Sequence, residues 1–148
     1  MKNVAFVTYN SVGDSLSSGW HDGPSDRRAL VLQRTTGDGA SVKLEPGQRS
    51  DQISILWGEL QKALPELDHI VVYVGANGSQ RAIALAGQLP ASKISFVGCD
   101  CGILQKEAMI QAAGLTEARR LLCECGGHRT MKRLYTHFME TGTLHPSG

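Results

Sequence analysis

The stretch His69-Ile-Val-Val-Tyr-Val-Gly75 carries apolar side chains on consecutive positions from Ile70 to Val74. Successive side chains of a β-strand point to opposite faces of the sheet, so a strand that is apolar at every position is buried on both faces. Strands of this kind are typical of parallel sheets that are covered by helices on both sides. The stretch therefore predicts an α/β protein with a mostly parallel sheet.

The same order of apolar stretch, glycine turn and helical sequence occurs twice more along the chain. Its marker is a glycine at constant spacing, because Gly78, Gly102 and Gly126 are 24 residues apart (102 − 78 = 126 − 102 = 24). Two of the turns contain paired cysteines, as Cys-Asp-Cys-Gly at 99–102 and Cys-Glu-Cys-Gly at 123–126. The repeat predicts three consecutive strand–helix units, with strands at 69–75, 93–99 and 119–123.

The helices are predicted from apolar residues at intervals of three and four, which place the apolar side chains on one helix face. This spacing predicts a helix that starts at Ser50 and ends before Pro65. It also predicts a helix whose inward residues include Ile83 and Leu89. Two further helices are expected at 102–113, with Gly114 as the C-terminal cap, and at 130–141.

The segment before the first of these helices is predicted to contain a long loop and a hairpin. The loop at 10–26 is rich in serine, glycine and aspartate, and loops of this length are usually functional or disordered. Asp38-Gly39 is a favoured hairpin turn, so antiparallel strands are expected at 29–35 and 40–44. A serine-capped helix over 25–33 is the alternative interpretation.

Together with a first strand at 4–9, these elements predict a three-layer α/β sandwich of Rossmann-like or flavodoxin-like type. Its sheet is expected to be mostly parallel but mixed. The single domain is predicted to span 1–142, and residues 143–148 are expected to form a flexible tail. A chain of 148 residues is long enough for one domain with a substantial core.

The charge balance argues against several classes of partner. The chain has 15 basic and 14 acidic residues, a formal net charge of +1, so no global field recruits duplex nucleic acid or a membrane surface. The sequence contains no apolar run of the length that spans a membrane, and the apolar stretch after Met1 is too short for a signal peptide. We therefore expect a cytoplasmic protein without membrane or duplex nucleic-acid partners.

The carboxyl edge of the predicted sheet is the expected ligand site, because ligands of open α/β sheets bind where strands end and helices begin. Backbone N–H groups at a helix N-terminus favour anions. A basic residue follows each of the three glycine turns, although a cation there opposes the helix dipole by about 0.3–1 kcal/mol. This placement predicts a phosphate-bearing small ligand, with a nucleotide as the preferred class. The candidate ligand-binding residues are Asn10, Ser11, Gly13, Trp20, Gly75, Asn77, Gly78, Ser79, Arg81, Gly102, Lys106, Gly126, Gly127 and Arg129.

The cysteine pairs support a second hypothesis, a metal site with zinc as the candidate cofactor. Thiolates and imidazoles are the ligands that zinc prefers, and all four cysteines fall within 27 positions (99 to 125). The Cys-x-Cys spacing differs from the Cys-x₂₋₄-Cys loops of structural zinc sites, and buried reduced thiols are the alternative interpretation. The candidate metal ligands are Cys99, Cys101, Cys123, Cys125 and His128.

Catalysis by a thiol is a related hypothesis. A cysteine at a helix N-terminus beside a histidine has a lowered pKa and is a stronger nucleophile at neutral pH. The sequence leaves binding and catalysis both open. The catalytic candidates are Cys101, Cys125, Asp100, Glu124 and His128. His21 and Asp22 are further acid or base candidates, because the loop at 10–26 is expected at the same carboxyl edge.

The aromatic residues leave two interpretations open at each position. Trp20 could stack on a planar ligand such as a nucleobase, or plug the core beneath its loop. Trp57 and the last predicted helix, with Tyr135, Phe138 and Met139, could belong to the core or form a homodimer face. The third hypothesis for the chain is accordingly a subunit of a larger assembly with no chemistry of its own.

Overall fold

The computed structural model describes residues 1–7, 19–32, 58–74, 80–98, 100–122 and 127–144. Its strands are β1 (Asn3–Val7), β2 (Gly19–Asp22), β3 (Arg28–Leu32), β4 (His69–Tyr73), β5 (Ile94–Gly98) and β6 (Arg119–Leu122). They form one sheet in the order β2-β3-β1-β4-β5-β6. Neighbouring strands are parallel except for β2, which is antiparallel to β3. The predicted α/β fold with a mostly parallel, mixed sheet is confirmed.

The 24-residue spacing in the sequence is also the register of three adjacent strands. Val71 of β4 pairs with Ser95 of β5, and Ser95 pairs with Arg119 of β6 (95 − 71 = 119 − 95 = 24). Every residue pair of these two ladders has the same offset. Equivalent positions of the three strand–helix units therefore stand side by side across the sheet.

Three helices cover one face of the sheet. They are α1 (58–63 in the described part), α2 (Gln80–Ala86) and α3 (Asp100–Ala112). Their inward residues, among them Leu60, Ile83 and Ile110, are buried in one apolar cluster with alternate residues of the strands. The chain crosses the sheet in the same direction before β4, β5 and β6, and right-handed crossovers then place all three helices on the same face.

A single described helix, α4 (Gly127–Thr141), packs on the opposite face. Its buried stripe contains Met131, Leu134 and Phe138, which contact a second apolar cluster around Phe6 of β1. Tyr135 and Met139 are partly buried against the same cluster. The stripe that was a candidate homodimer face is thus a core face of the domain, whereas Trp57 lies outside the described residues.

The sequence-based prediction was wrong for the segment between β1 and β3. The residues of β2 were assigned to the loop at 10–26, but they form an edge strand. The predicted strand at 29–35 is present as β3, but it pairs with β1 on one side and with β2 on the other, so its described residues do not form the hairpin with 40–44, and the helix over 25–33 does not form. The four consecutive buried residues of β3 mark an interior strand, by the same criterion that identified β4. The predicted strand at 40–44 lies outside the described residues.

Two of the helices are followed by a glycine with a positive φ. Gly114 has φ of 75°, and the Leu115 N–H donates to the Ile110 carbonyl at 3.0 Å, as in a Schellman cap. Gly142 has φ of 78° and follows α4 directly. Beyond it, Leu144 is buried in the second cluster, so the described start of the predicted tail packs on the domain.

A carboxylate connects the first residues of the chain to the turn before β4. One oxygen of Asp68, Oδ2, accepts hydrogen bonds from the backbone N–H groups of Lys2 at 2.9 Å and Asn3 at 3.0 Å. The hydrogen bond from Asn3, followed by that from Lys2, holds the pKa of Asp68 below its usual value. A depressed folded-state pKa means that this carboxylate stabilises the fold above its unfolded pKa, and that the contribution is lost as the pH falls through the folded pKa.

We expect Asp68→Asn to lower the free energy of unfolding at pH 7. Below about pH 4, the difference in this free energy between the variant and the original protein should become smaller. The asparagine cannot ionise, so the variant lacks the charge-assisted part of both hydrogen bonds. Urea unfolding at pH 7 and pH 3 measures the effect, with the exposed Glu117→Gln as a control for the loss of one negative charge. A gap that is the same at both pH values would contradict the prediction.

Candidate functional site

The chain reverses its direction across the sheet between β1 and β4. From β1 it passes to β2 and β3 on one side, and it then returns to β4 on the other side of β1. Val7 stands opposite Val72 at the carboxyl end of the parallel β1–β4 ladder. Connections that leave two adjacent strands in opposite directions open a crevice at their carboxyl ends, where ligands of open α/β sheets bind. The topology therefore identifies a candidate crevice beyond Val7 and Tyr73.

The predicted ligand residues that follow these strands lie outside the described part of the chain. In the sequence, one group comes directly after β1 and a second group comes directly after β4, the two strands at the reversal. Their role in binding stays a prediction. The residues are Asn10, Ser11, Gly13, Gly75, Asn77, Gly78 and Ser79, and Gly126, which precedes α4, is also outside.

Four other predicted ligand residues belong to the first turns of helices. Arg81 is the second residue of α2, Gly102 the third residue of α3, and Gly127 and Arg129 are the first and third residues of α4. The first turns of α2 and α4 contain no acidic residue. The two arginines thus lie where the helix dipole disfavours a cation, although the structure does not describe their side chains.

Lys106 departs from the expectation of a cation at a helix start. Because α3 begins at Asp100, Lys106 lies in the second turn, beyond the strongest part of the dipole. The residue is buried, with 6 % of its surface exposed. It falls between Ile103 and Ile110 on the helix face that packs into the core. The spacing i, i+3, i+7 of these three residues is the sequence signal that would have placed it there.

The strands that precede the two cysteine-bearing segments are neighbours in the sheet. β5 and β6 are adjacent and parallel, and Gly98 stands opposite Leu122 at the end of their ladder. Cys99 follows the first of these residues in the sequence and Cys123 follows the second. The question that the sequence left open, whether these strands are adjacent, is answered by the topology.

The metal and thiol candidates themselves are only partly within the described chain. Asp100 and Cys101 begin α3, and His128 is the second residue of α4, but the structure does not describe their side chains. Among the described residues, no three His, Cys, Asp or Glu side chains form a group that could hold a metal ion. The zinc and thiol hypotheses stay predictions. The remaining candidates, Cys99, Cys123, Glu124 and Cys125, lie outside the described residues.

Trp20 and Asp22 are held by contacts within the protein. The Trp20 ring packs against the core beneath α1–α3, and Cζ of Arg28 lies 4.1 Å from the ring centroid. Asp22 Oδ1 is 3.4 Å from Nε of Arg28. Asp22 also pairs with Arg28 in the sheet, and Arg28 is the first residue of β3. Asp22 thus lies at the amino end of β3, not at the carboxyl edge where the sequence analysis expected it, because β2 runs antiparallel.

His21 lies on the opposite face and joins β2 to α4. Its Nδ1 is 2.7 Å from the Tyr135 hydroxyl oxygen, and the two rings are nearly perpendicular at 83°. Burial raises the pKa of the Tyr135 hydroxyl above its ordinary value, so the group keeps its proton and can donate it to the histidine at neutral pH. Sequence reasoning missed this pair because 114 positions separate its members.

The comparisons with known proteins supply no family for this chain. No family model, no curated protein and no solved structure matches it significantly. Within the described residues, no helix combines the length and apolar character that crossing a membrane requires. The functional assignment therefore depends on the geometry of the sheet and on the residues at its carboxyl edge.

Proposed function

We propose that the protein binds a small phosphate-bearing ligand, a nucleotide in the preferred form, at the carboxyl edge of its sheet. The observation that carries this proposal is the reversal of strand order between β1 and β4. Such a reversal produces a crevice that α/β proteins use for ligands. The sequences that follow the two strands supply Asn10, Ser11, Asn77 and Ser79, whose side chains hydrogen-bond readily to phosphate or sugar groups.

The charge distribution at the helix starts supports an anionic ligand. Arg81 and Arg129 lie in the first turns of α2 and α4, and neither turn contains an acidic residue that would complement the dipole. Three adjacent units share one register, so their turns begin at equivalent positions along the same edge. A phosphate among these groups would receive both backbone N–H groups and guanidinium groups, which bind it bidentately.

Thermal unfolding with a panel of inorganic phosphate, pyrophosphate and nucleoside mono-, di- and triphosphates tests the proposal. A ligand present at 100 times its dissociation constant stabilises the folded state by about 2.7 kcal/mol, which is a shift of several degrees in Tm. Arg81→Ala and Arg129→Ala should each weaken binding by at least about tenfold, because each removes a charge-assisted hydrogen bond to phosphate.

Arg119→Ala is the matched control, since Arg119 is exposed and begins β6 at the amino edge of the sheet. It removes the same charge but should leave binding unchanged. If no compound shifts Tm, the proposed function fails. Equal effects of all three substitutions would show a non-specific response to net charge instead of a site at the carboxyl edge.

A second candidate function, zinc binding or thiol chemistry, is favoured by the adjacency of β5 and β6. The aligned ends of these strands, Gly98 and Leu122, are each followed by a Cys-x-Cys pair. Elemental analysis of the protein purified without chelator, applied to the samples used for the ligand panel, separates the two functions. Stoichiometric zinc that is lost in a Cys99→Ser, Cys123→Ser variant would favour this alternative.

A further inference from the structure

Lys106 occupies the middle of the buried face of α3. Ile103 precedes it by three positions and Ile110 follows it by four, and both are buried in the cluster beneath the helix. Lys106 is itself 6 % exposed, whereas Leu104 on the outer side of the same helix is 70 % exposed. The helix thus turns a lysine towards the sheet at a position where the surrounding pattern calls for an apolar residue.

Among the described residues, none of the ion pairs includes the ammonium group of Lys106. Removing a charged group from water without a compensating partner is strongly unfavourable. The neighbouring Glu107 is not the anionic partner of Lys106, because both of its carboxylate oxygens accept hydrogen bonds from Arg120 at 3.0 Å. The lysine therefore needs an anion that the described residues do not provide.

The direction of α3 indicates where that anion lies. The helix begins two residues after the end of β5, so its N-terminus is at the carboxyl edge of the sheet. Helical side chains lean towards the N-terminus of their helix. The Cα of Lys106 lies about 9 Å along the helix axis from the start of α3, and a side chain that leans this way brings its ammonium group closer to that edge.

We infer that Lys106 is the buried cation that binds the phosphate or other anionic group of the ligand. This inference rests on the proposed function and assigns to it a particular residue and mode of contact. The site would hold the anion beneath the N-terminus of α3, out of open water, where a single ammonium contributes more than it would at the surface. The residue differs in its position from Arg81 and Arg129, which belong to the first turns of α2 and α4.

Lys106→Met tests the inference, because methionine has a similar shape and no charge. Without ligand, the variant should unfold at a temperature higher by about 3 °C, since it no longer buries an unpaired charge. Affinity for the phosphate compound that binds the original protein should fall by at least about 30-fold. Isothermal titration calorimetry measures the affinity, and Lys106→Arg, which keeps the charge, should retain most of it.

Lys62→Met on α1 is the control, because its side chain is 81 % exposed and the same charge is removed. It should change neither Tm nor affinity appreciably.

A lower Tm for Lys106→Met without ligand would overturn the inference, since it would show that a carboxylate of the chain, such as Asp100 or Glu124, already pairs with the lysine. Unchanged affinity with a raised Tm would overturn it too, while leaving the proposed function intact. A panel in which no compound binds the original protein would instead overturn the proposed function itself, and the inference with it.

Discussion

Phe138→Ala is expected to lower the free energy of unfolding by about 3–5 kcal/mol, which is the usual cost of truncating a buried phenylalanine. Phe138 has no exposed surface, and its ring centroid lies 6.3 Å from that of Phe6 in β1. The rings of Phe6 and Tyr135 are in turn packed in a T-shaped arrangement, with 5.7 Å between their centroids. The substitution leaves a cavity between α4 and the central strand, where neighbouring aromatic rings are too rigid to fill it.

The free energy of unfolding of a domain is about 5–15 kcal/mol, so this one substitution would remove a large part of it. Urea unfolding monitored by circular dichroism measures it, and Glu140→Ala serves as control on the exposed side of the same helix. Glu140→Ala should stay within about 0.5 kcal/mol of the original protein. A loss below about 1 kcal/mol for Phe138→Ala would mean that α4 is not anchored on the sheet in this way.

The second large effect is expected at Gly98, the last residue of β5. A Cβ atom at this position would lie 2.5 Å from the carbonyl oxygen of Val74 and 3.3 Å from Cγ1 of Ile103. The oxygen belongs to the backbone just after β4, and the Val74 N–H already donates to the Val97 carbonyl at 2.7 Å. The obstacle cannot rotate away, so Gly98→Ala has to separate the two strands at the carboxyl edge.

We expect Gly98→Ala to destabilise the protein by about 1–3 kcal/mol, the range found for overpacked cores. It should also weaken binding at the carboxyl edge, because the β4–β5 spacing changes next to the proposed site. Gly58→Ala is the matched control, since an added Cβ there meets nothing within 4 Å and alanine favours the helix. The control should be neutral or stabilising by up to about 1 kcal/mol. If the two alanine variants unfold alike, the close approach of β4 and β5 does not exist.

The sequence predicted a candidate site at the carboxyl edge of the sheet, but it predicted only in part which side chains lie at that edge. The glycine spacing located the turns at one edge, because parallel strands share a carboxyl edge and the units have equal length. Lys106 was assigned to a helix start because its distance from Gly102 was read without the helical periodicity of Ile103 and Ile110. Asp22 was assigned to the wrong edge because an antiparallel strand of four residues leaves little pattern in the sequence.

By itself, the sequence determined that helices cover the sheet and that three strand–helix units follow one another at a spacing of 24 residues. Runs of consecutive apolar residues specify strands buried on both faces, and the constant spacing specifies three units whose residues align at an offset of 24. Only the tertiary structure decided the order of the strands, and with it the reversal between β1 and β4. Hydrophobic patterns are local and record whether a segment is buried. They do not record which segment it is buried against, and that choice depends on long-range contacts such as those of β3 with β1 and β2.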